Sequence, residues 1–408
     1  MISPFEQTDW KKKEPIWNRI RPYRDGEVTF VCQRLLSDDV FCTFIRNIFP
    51  DTAEHLFDKV SQVDTIEKFK TNLLAPIVEM LLQKTSFGCD LTGKSNIAGV
   101  EGATFISNHR DIVMDSAILN YLFFTEGLSL PRMAMGDNLL VAPWIEPIVK
   151  LADAVIVERS LPPREFLLSS SVFSTLLHYS IEIEKKYIWI AQREGRAKDA
   201  NDRTQPALLK MMALANRECP YKELRSLNIV PLSISYEYDP CDYLKAKELY
   251  ARETLGTYTK KEGEDYNSMK NGVLGYKGRI HFDIARPLND ILDDELEKNG
   301  NEWIGKPALF FDKIASIIDR SIHARYRLYP GNYVADDLLN NSSLSLMNGH
   351  YSQKDKDAFI HYIDERVALA APFDSIEEKA IRQLLLLQYA NPLRNYRSAT
   401  ETFENKTI

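Results

Sequence analysis

The sequence has no apolar run long enough to predict a membrane-spanning helix, which needs roughly 18 consecutive apolar residues. The closest approach, residues 117–124, is interrupted by Asn120. Residues 1–7 also lack the basic and apolar regions of a signal peptide. The sequence therefore predicts neither a transmembrane helix nor a secreted chain, and we expect a cytoplasmic location.

Cysteine is scarce, and its distribution excludes two kinds of site. The five cysteines are odd in number and far apart, without metal-binding spacing: Cys32, Cys42, Cys89, Cys219 and Cys241. We expect reduced thiols, as is usual in the cytosol, and no metal. The chain also lacks the Gly-x-Ser-x-Gly motif of serine hydrolases and the His-Glu-x-x-His motif of zinc proteases.

Positive charge is not in excess, since 51 Lys and Arg stand against 58 Asp and Glu for a net charge of −7. This balance argues against nucleic acid as the main partner. A local basic cluster can still bind a small anionic substrate, because the global sign does not fix the local potential.

Strand and helix patterns alternate through the middle of the chain, which has 408 residues. Apolar strand segments are predicted at residues 86–97, 103–106, 131–135, 154–157, 187–191, 228–236 and 279–284, with helical patterns between most of them. This alternation predicts an α/β fold: a mixed, largely parallel sheet flanked by helices, with helical N- and C-terminal additions. We expect an N-terminal arm and helical region over residues 1–84, an α/β domain over 85–335 and a C-terminal helical accessory over 336–408.

One stretch combines a buried strand, a polar turn and a helix. Residues 103–106 form the strand, the turn contains His109, and a helix is expected from about Ile112. Asp111 and Asp115 both lie within reach of His109, and an imidazole held by a carboxylate is a common general base. The alternative is that the histidine only caps the helix and that the two acids are ordinary first-turn residues.

Either acid could serve His109. If the helix begins at about Ile112, Arg110 and Asp111 bulge outward and Asp115 faces back toward the imidazole. Asp111 would then cap the helix, and we expect Asp115 to be the partner. Otherwise Asp111, two residues after the histidine, is the working acid.

Charged residues follow two more of the predicted strands. Glu158 and Arg159 come after the strand at 154–157, and residues 193–198 come after the strand at 187–191. Loops at the carboxyl ends of parallel strands converge, so we expect His109, Arg159, Arg196 and Lys198 in one crevice. Cationic groups beside a His–Asp pair suit a phosphate-bearing substrate, although such residues are often only solvated loop.

Four segments together resemble the conserved blocks of the glycerolipid acyltransferases, a family that includes glycerol-3-phosphate and lysophosphatidate acyltransferases. They are Asn108-His109 with Asp115, residues 155–159, Glu194-Gly195-Arg196, and residues 229–233. The resemblance covers roughly residues 85–290. Residues 203–209, 229–237 and 247–249 are most similar to the glycerol-3-phosphate branch.

The resemblance implies transfer of a fatty acyl group from acyl-ACP or acyl-CoA to a hydroxyl of glycerol 3-phosphate, lysophosphatidate or a related lipid in phospholipid biosynthesis. It makes His109 the general base and Asp115 its partner. It assigns substrate binding to Arg159, Glu194, Gly195, Arg196, Lys198 and Pro231. The implied chemistry needs no metal and no cofactor, and the implied partners are acyl-carrier protein or a CoA thioester.

Two spacings depart from the family pattern. Five residues lie between His109 and Asp115 where the family has four, and Gly195 and Arg196 are adjacent where the family has one residue between them. These departures favour two alternatives: an enzyme that acylates an aminolipid hydroxyl, or a catalytically silent relative that binds lipid or acyl-carrier protein.

The N-terminal arm, residues 1–30, mixes basic and aromatic residues, beginning with Trp10 and Lys11–13. It is expected either to pack on the domain as a strap or to contact an anionic membrane surface together with the loop at 141–144. With a lipid product in view, we expect peripheral association with the membrane.

Overall fold

The computed structural model describes residues 10–215, 218–256, 258–261, 263–370 and 378–404. The first nine residues, on which the signal-peptide argument and part of the arm depend, lie outside this range. Seven strands are present: β1 (Cys89–Thr92), β2 (Ala103–Ser107), β3 (Arg132–Gly136), β4 (Ala154–Val157), β5 (Tyr187–Ala191), β6 (Ile229–Tyr236) and β7 (Ile280–Ile284).

The seven strands form a single sheet in the order β1-β7-β6-β2-β5-β3-β4. The five strands from β6 to β4 run parallel, while β7 is antiparallel to β6 and parallel to β1. The predicted mixed, largely parallel sheet is therefore confirmed. The polar segments after β2, β3, β4 and β5 all leave the same edge, which we call the carboxyl edge.

Nineteen helices are present in the described residues. The first ten are α1 (Trp10–Ile20), α2 (Asp25–Leu36), α3 (Asp39–Ile48), α4 (Ala53–Ser61), α5 (Ile66–Lys68), α6 (Ala75–Thr85), α7 (Met114–Thr125), α8 (Ile145–Leu151), α9 (Pro163–His178) and α10 (Pro206–Met212). The others are α11 (Pro220–Ser226), α12 (Asp242–Leu255), α13 (Glu264–Leu274), α14 (Leu288–Asn299), α15 (Pro307–His323), α16 (Pro330–Leu339), α17 (Leu344–Met347), α18 (Gln353–Ala370) and α19 (Glu378–Glu404).

Helices cover both faces of the sheet, because successive strand residues point to opposite sides. In β2, Phe105 packs in one core with α6 and α7, and Ile106 packs in another with α9, α10 and α15. Burial on both faces explains why the central strands are continuously apolar. No helix in the described residues is long and apolar enough to cross a membrane.

Two predicted boundaries were wrong for identifiable reasons. The strand expected over residues 86–97 ends at Thr92, because Gly93 adopts a left-handed conformation (φ 76°) and a 3₁₀ turn, Lys94–Ile97, follows. The helical pattern between the strands at 154–157 and 187–191, predicted over residues 166–185, begins in the structure at Pro163 and changes to a π-helical segment, Tyr179–Ile183, in its last turns.

The terminal helices share buried surfaces with the middle of the chain. Ile16, Trp17 and Ile20 of α1 belong to the core on the α9 face of the sheet. At the other end, α16, α18 and α19 form a core that includes Ala246 of α12. The predicted three-part division stays a prediction, but buried contacts cross both of its boundaries.

Candidate active site

The turn after β2 holds a histidine and a carboxylate in direct contact. His109 Nδ1 lies 2.8 Å from Asp115 Oδ2, and the same oxygen accepts the backbone N–H groups of Arg110 (2.7 Å) and Asp111 (3.1 Å). The Asp115 side chain is fully buried. With Nδ1 engaged by this fixed carboxylate, Nε2 of His109 is left to act on a substrate proton.

Asp111 has a different task. Its Oδ1 accepts the backbone N–H groups of Val113 (2.9 Å) and Met114 (2.8 Å), so it caps α7, which begins two residues later than expected. Burial, followed by the nearby Asp115 carboxylate, raises the pKa of Asp111. The extra residue between His109 and Asp115 is taken up in this turn without separating the pair.

The expectation that Arg110 and Asp111 bulge outward was wrong, since they are only 8% and 1% exposed. Arg110 points inward because its Nη2 pairs with the buried Asp202 at 2.9 Å and its guanidinium lies 5.6 Å from the ring centroid of Tyr326. The backbone carbonyl of Arg110 also accepts a hydrogen bond from Lys245 Nζ at 2.9 Å. The turn is therefore fixed from both sides.

Asn108 and Trp189 hold the turn against the sheet. The Asn108 amide donates to the carbonyl of Ile234 in β6 and accepts from the Ile234 N–H, both at 2.8 Å. Trp189 Nε1 donates to Ser107 Oγ at 2.9 Å, and its ring centroid lies 5.9 Å from that of His109. Sequence reasoning missed both roles, although Asn108 stood inside the quoted motif.

The predicted cationic residues do line one cavity with His109. Arg159 contacts Glu194 across 3.4 Å, and Lys198 Nζ pairs with Glu248 at 2.6 Å. Burial, followed by the charge of Arg196, lowers the pKa of Lys198 to about 8. Arg196 is only 6% exposed, and within the described part of the chain its buried Nη1 has no hydrogen-bond partner.

The other two predicted substrate-binding residues differ in position. Gly195 lines the cavity and has a φ of +66°, a conformation that suits glycine and brings the backbone to the surface of the site. Pro231 lies inside β6, opposite Ile106 of β2, and its carbonyl accepts the N–H of Ala285 at 2.9 Å. It does not line the cavity.

The cavity has a volume of about 820 Å³ and an apolar body. One wall comes from the N-terminal helices. Apolar side chains from α3, α6, α7, β3 and α8 contribute, among them Phe44, Ile48, Leu74, Val78, Leu81, Tyr121, Phe124, Met133, Met135 and Ile148. Such a space fits an alkyl chain that ends beside His109.

A helical pair between β6 and β7 covers the opening of the cavity. Arg252 of α12 and Lys270 of α13 line it, together with Lys260 from the connection between these helices. Gly272 of α13 lies so close to the turn that a Cβ there would stand 1.9 Å from Asp111 Oδ2. The sequence analysis did not predict α13.

The site thus joins a His–carboxylate pair, several cations and a deep apolar space. In the described residues, no group of three His, Cys, Asp or Glu is placed to hold a metal ion. The arrangement can bind an anionic amphiphile and remove a proton from a hydroxyl placed at His109 Nε2.

Comparisons with known proteins agree with this chemistry. A family model described as Acyltransferase matches residues 89–235. The chain is 26% identical over 202 residues to a glycerol-3-phosphate acyltransferase of Pseudomonas paraeruginosa, and equally similar to that of Pseudomonas aeruginosa. These matches cover 49% of this chain and 22% of the relatives' length, so the chain spans less than a quarter of the curated relatives it matches.

Among solved structures, the chain is similar to the 1-acyl-sn-glycerophosphate (LPA) acyltransferase PlsC from Thermotoga maritima. The sequence identity is 10%, the TM-score is 0.36, and the alignment covers 70% of this chain and 94% of the other.

Proposed function

We propose that this chain transfers a fatty acyl group from acyl-ACP or acyl-CoA to a hydroxyl of glycerol 3-phosphate, lysophosphatidate or a related lipid. The match of residues 89–235 to the Acyltransferase family model and the similarity to glycerol-3-phosphate acyltransferases support this proposal. The observation that carries the proposal is the His109–Asp115 pair at the junction of an apolar cavity and a cationic cluster.

In the proposed reaction, His109 Nε2 takes the proton of the acceptor hydroxyl while its oxygen attacks the thioester carbonyl. A carbon–oxygen bond forms, the carbon–sulfur bond breaks, and the thiolate leaves with the proton returned from the imidazolium. Asp115 keeps the Nδ1 proton in place and stabilises the positive charge on the ring. The reaction as written needs no metal and no further cofactor.

Arg159, Arg196 and Lys198 bind the phosphate or another anionic head group of the acceptor. Arg196 is best suited to this, because it lines the cavity and its side chain is largely desolvated, where a charge-assisted hydrogen bond is strong. Glu194 orients Arg159, with which it already forms an ion pair. The acyl chain occupies the apolar body of the cavity.

We also propose that the enzyme works in the cytoplasm at the surface of a membrane, into which its acylated product partitions. The N-terminal helix α1 supports this proposal, because Lys11 and Lys12 are exposed on it while its apolar residues are buried.

The proposal is tested by turnover of purified protein with acyl-ACP and acyl-CoA, each offered glycerol 3-phosphate, lysophosphatidate and a hydroxylated aminolipid. We expect acylation of a phosphate-bearing acceptor and its loss in His109→Ala with an unchanged circular dichroism spectrum. Acylation of the aminolipid alone would replace the acceptor assignment. Failure to turn over any donor, with retained donor binding, would favour the catalytically silent relative.

A further inference from the structure

One charged side chain lines the cavity far from His109, where the proposed acyl transfer takes place. Lys70, in the π-helical segment Phe69–Leu74, is 5% exposed and lines the cavity among apolar neighbours. The other charged lining residues of the described chain belong to the carboxyl edge or to the α12–α13 region that covers it. The acyl-transfer chemistry gives Lys70 no task.

The partners of Lys70 place it at the amino ends of the strands. Its Nζ donates to the carbonyl of Pro131 at 2.9 Å and lies 3.9 Å from Asp153 Oδ2. Pro131 and Asp153 immediately precede β3 and β4, whereas His109 follows the carboxyl end of β2. Lys70 and His109 therefore lie at opposite ends of the cavity.

The ammonium group of Lys70 is held firmly. Asp153 is itself fixed by Arg132, whose Nε donates to Asp153 Oδ1 at 2.9 Å and whose Nη1 bonds to Ser180 Oγ at 2.8 Å. An alkyl terminus that displaced Lys70 would break its hydrogen bond and leave a buried charge unpaired, which is costly. An aliphatic side chain at position 70 would make room for the alkyl terminus by changing its rotamer.

The strand register gives the depth of the cavity. Arg132 and Thr104 both pair with Ile188, so Pro131 is level with Ala103. From Ala103 to Ser107 the strand rises about 13 Å, and His109 lies beyond that point. An extended alkyl chain advances about 1.25 Å per carbon at ordinary bond lengths and angles, so about ten carbons span the rise from Ala103 to Ser107, and the path from the thioester to Lys70 is longer by the distance from Ser107 to His109.

We propose that Lys70 is the floor of the acyl pocket and sets the longest acyl chain that the enzyme accepts. This inference rests on the proposed function, because it assigns the apolar cavity to the acyl group. It predicts an upper limit to the chain length of the acyl donor, above about ten carbons.

The test is the dependence of kcat/KM on donor length, with acyl-CoA and acyl-ACP from eight to eighteen carbons. Wild-type activity should fall steeply, by tenfold or more, once the chain exceeds the floor. Lys70→Ala removes four heavy atoms and should move this limit to donors about four carbons longer. Lys70→Leu should give a smaller shift. Lys68→Ala is the matched control, because this exposed lysine lies two residues earlier, in α5, and does not line the cavity, and it should leave the profile unchanged.

A wild-type profile that stays flat to eighteen carbons would overturn the inference. So would identical limits in wild type and in either folded Lys70 variant. Calorimetric binding of the same acyl-CoA series gives the limit without turnover. Binding that is limited by chain length, without any acyl transfer, would refute the proposed function and support Lys70 as the floor of the pocket. Acyl transfer without a limit on chain length would support the proposed function and refute the role of Lys70.

Discussion

At the level of single residues, the hydrogen-bond partners of Asp115 and Asp111 differ. They predict an effect on catalysis for Asp115 and an effect on stability for Asp111. Asp115 holds the His109 imidazole, so Asp115→Asn should lower kcat by about 10²- to 10⁴-fold with the fold intact. Asp111 caps α7, so Asp111→Ala should lower the free energy of unfolding by about 1 kcal/mol, whereas Asp111→Asn, which can still cap the helix, should lower kcat by less than about tenfold. Steady-state kinetics and thermal unfolding of these variants check this. The reverse ranking would make Asp111 the working acid.

Arg196 and Arg159 should differ in their effect on the acceptor. Both substitutions to alanine should mainly raise the acceptor KM, because a phosphate contact acts in the ground state and the transition state alike. The rise should be about tenfold or more for Arg196, whose Nη1 is buried and unpartnered in the described structure, and smaller for Arg159, which already pairs with Glu194.

The acceptor KM is measured at saturating donor, with Arg164→Ala as a control, since that exposed arginine does not line the cavity. An unchanged acceptor KM in both variants would remove these two residues from the phosphate site.

How much of the site the sequence reveals depends on where the partners of each residue lie in the chain. The grouping of His109, Arg159, Arg196 and Lys198 follows from strand ends alone, because parallel strands deliver their loops to one edge. The burial of Arg110 does not follow, because its partner Asp202 belongs to a distant loop with no recognisable pattern.

Among the secondary-structure elements, α13 packs directly against the turn after β2. A Cβ on Gly272 would stand 1.9 Å from the Asp111 carboxylate, which two backbone N–H groups hold in place. Gly272→Ala must therefore displace α13 or the turn, and we expect a loss of about 1 to 3 kcal/mol of unfolding free energy with a lower kcat. Gly26→Ala, in open space within α2, is the control and should be neutral or stabilising by up to about 1 kcal/mol. Equal stability of the two variants would contradict this packing.

The helix α1 allows a sharper form of the membrane prediction. Its Ile16, Trp17 and Ile20 are buried, and the Trp17 ring lies 5.5 Å from that of Tyr179, so bilayer contact depends on the lysine face. Replacing Lys11, Lys12 and Lys13 by Glu should weaken sedimentation with anionic vesicles, and rising salt should weaken wild-type binding similarly. Undiminished binding by the charge-reversed protein would leave α1 with packing as its role.

Strands and helices were predicted correctly from the sequence where the apolar residues followed one clear periodicity. They were missed where no single periodicity was present. The strands β4 and β5 agree residue by residue with continuous apolar runs at 154–157 and 187–191. By contrast, α13 carries polar residues on most sides and became a helix through its packing on the turn and on α6. The ring centroid of Trp144 lies 4.7 Å from that of Phe44, while the contact of its loop with a bilayer stays a prediction.

On the scale of the whole molecule, the cavity is lined by segments that lie far apart in the sequence. Phe44 and Lys70 come from the N-terminal helices, Met133 from the sheet, and Lys270 from the helical pair before β7. The helical region predicted at the N-terminus is present in the structure, whereas α13 was not predicted, and the sequence pattern carried no information about which surfaces would face each other. A cavity is defined by that pairing, so its presence and depth could not be predicted from the sequence.

The C-terminal helices meet the α/β part at a buried carboxylate. Asp242 of α12 is fully buried and accepts hydrogen bonds from Arg366 of α18, from Tyr362 at 2.7 Å and from Tyr389 of α19 at 2.7 Å. Burial raises the pKa of Asp242, and the charge of Arg366 opposes that rise. All three donors come from the predicted C-terminal accessory, so this cluster tests whether the accessory folds together with the α/β domain.

Arg366→Met should therefore destabilise the whole protein by about 3 kcal/mol or more, because the Asp242 carboxylate remains buried without its cation. Because the charge of Arg366 opposes the rise in the pKa of Asp242, its removal raises that pKa further, so the folded variant binds a proton more readily than the wild type and the loss should shrink as the pH falls from 8 toward 5. The double variant Arg366→Met with Asp242→Asn removes the charge and should recover most of the stability in a single cooperative transition. Urea unfolding of wild type, both single variants and the double variant closes the cycle. Equal losses in Arg366→Met and the double variant, or a separate early transition for the C-terminal helices, would instead make the accessory an independent unit.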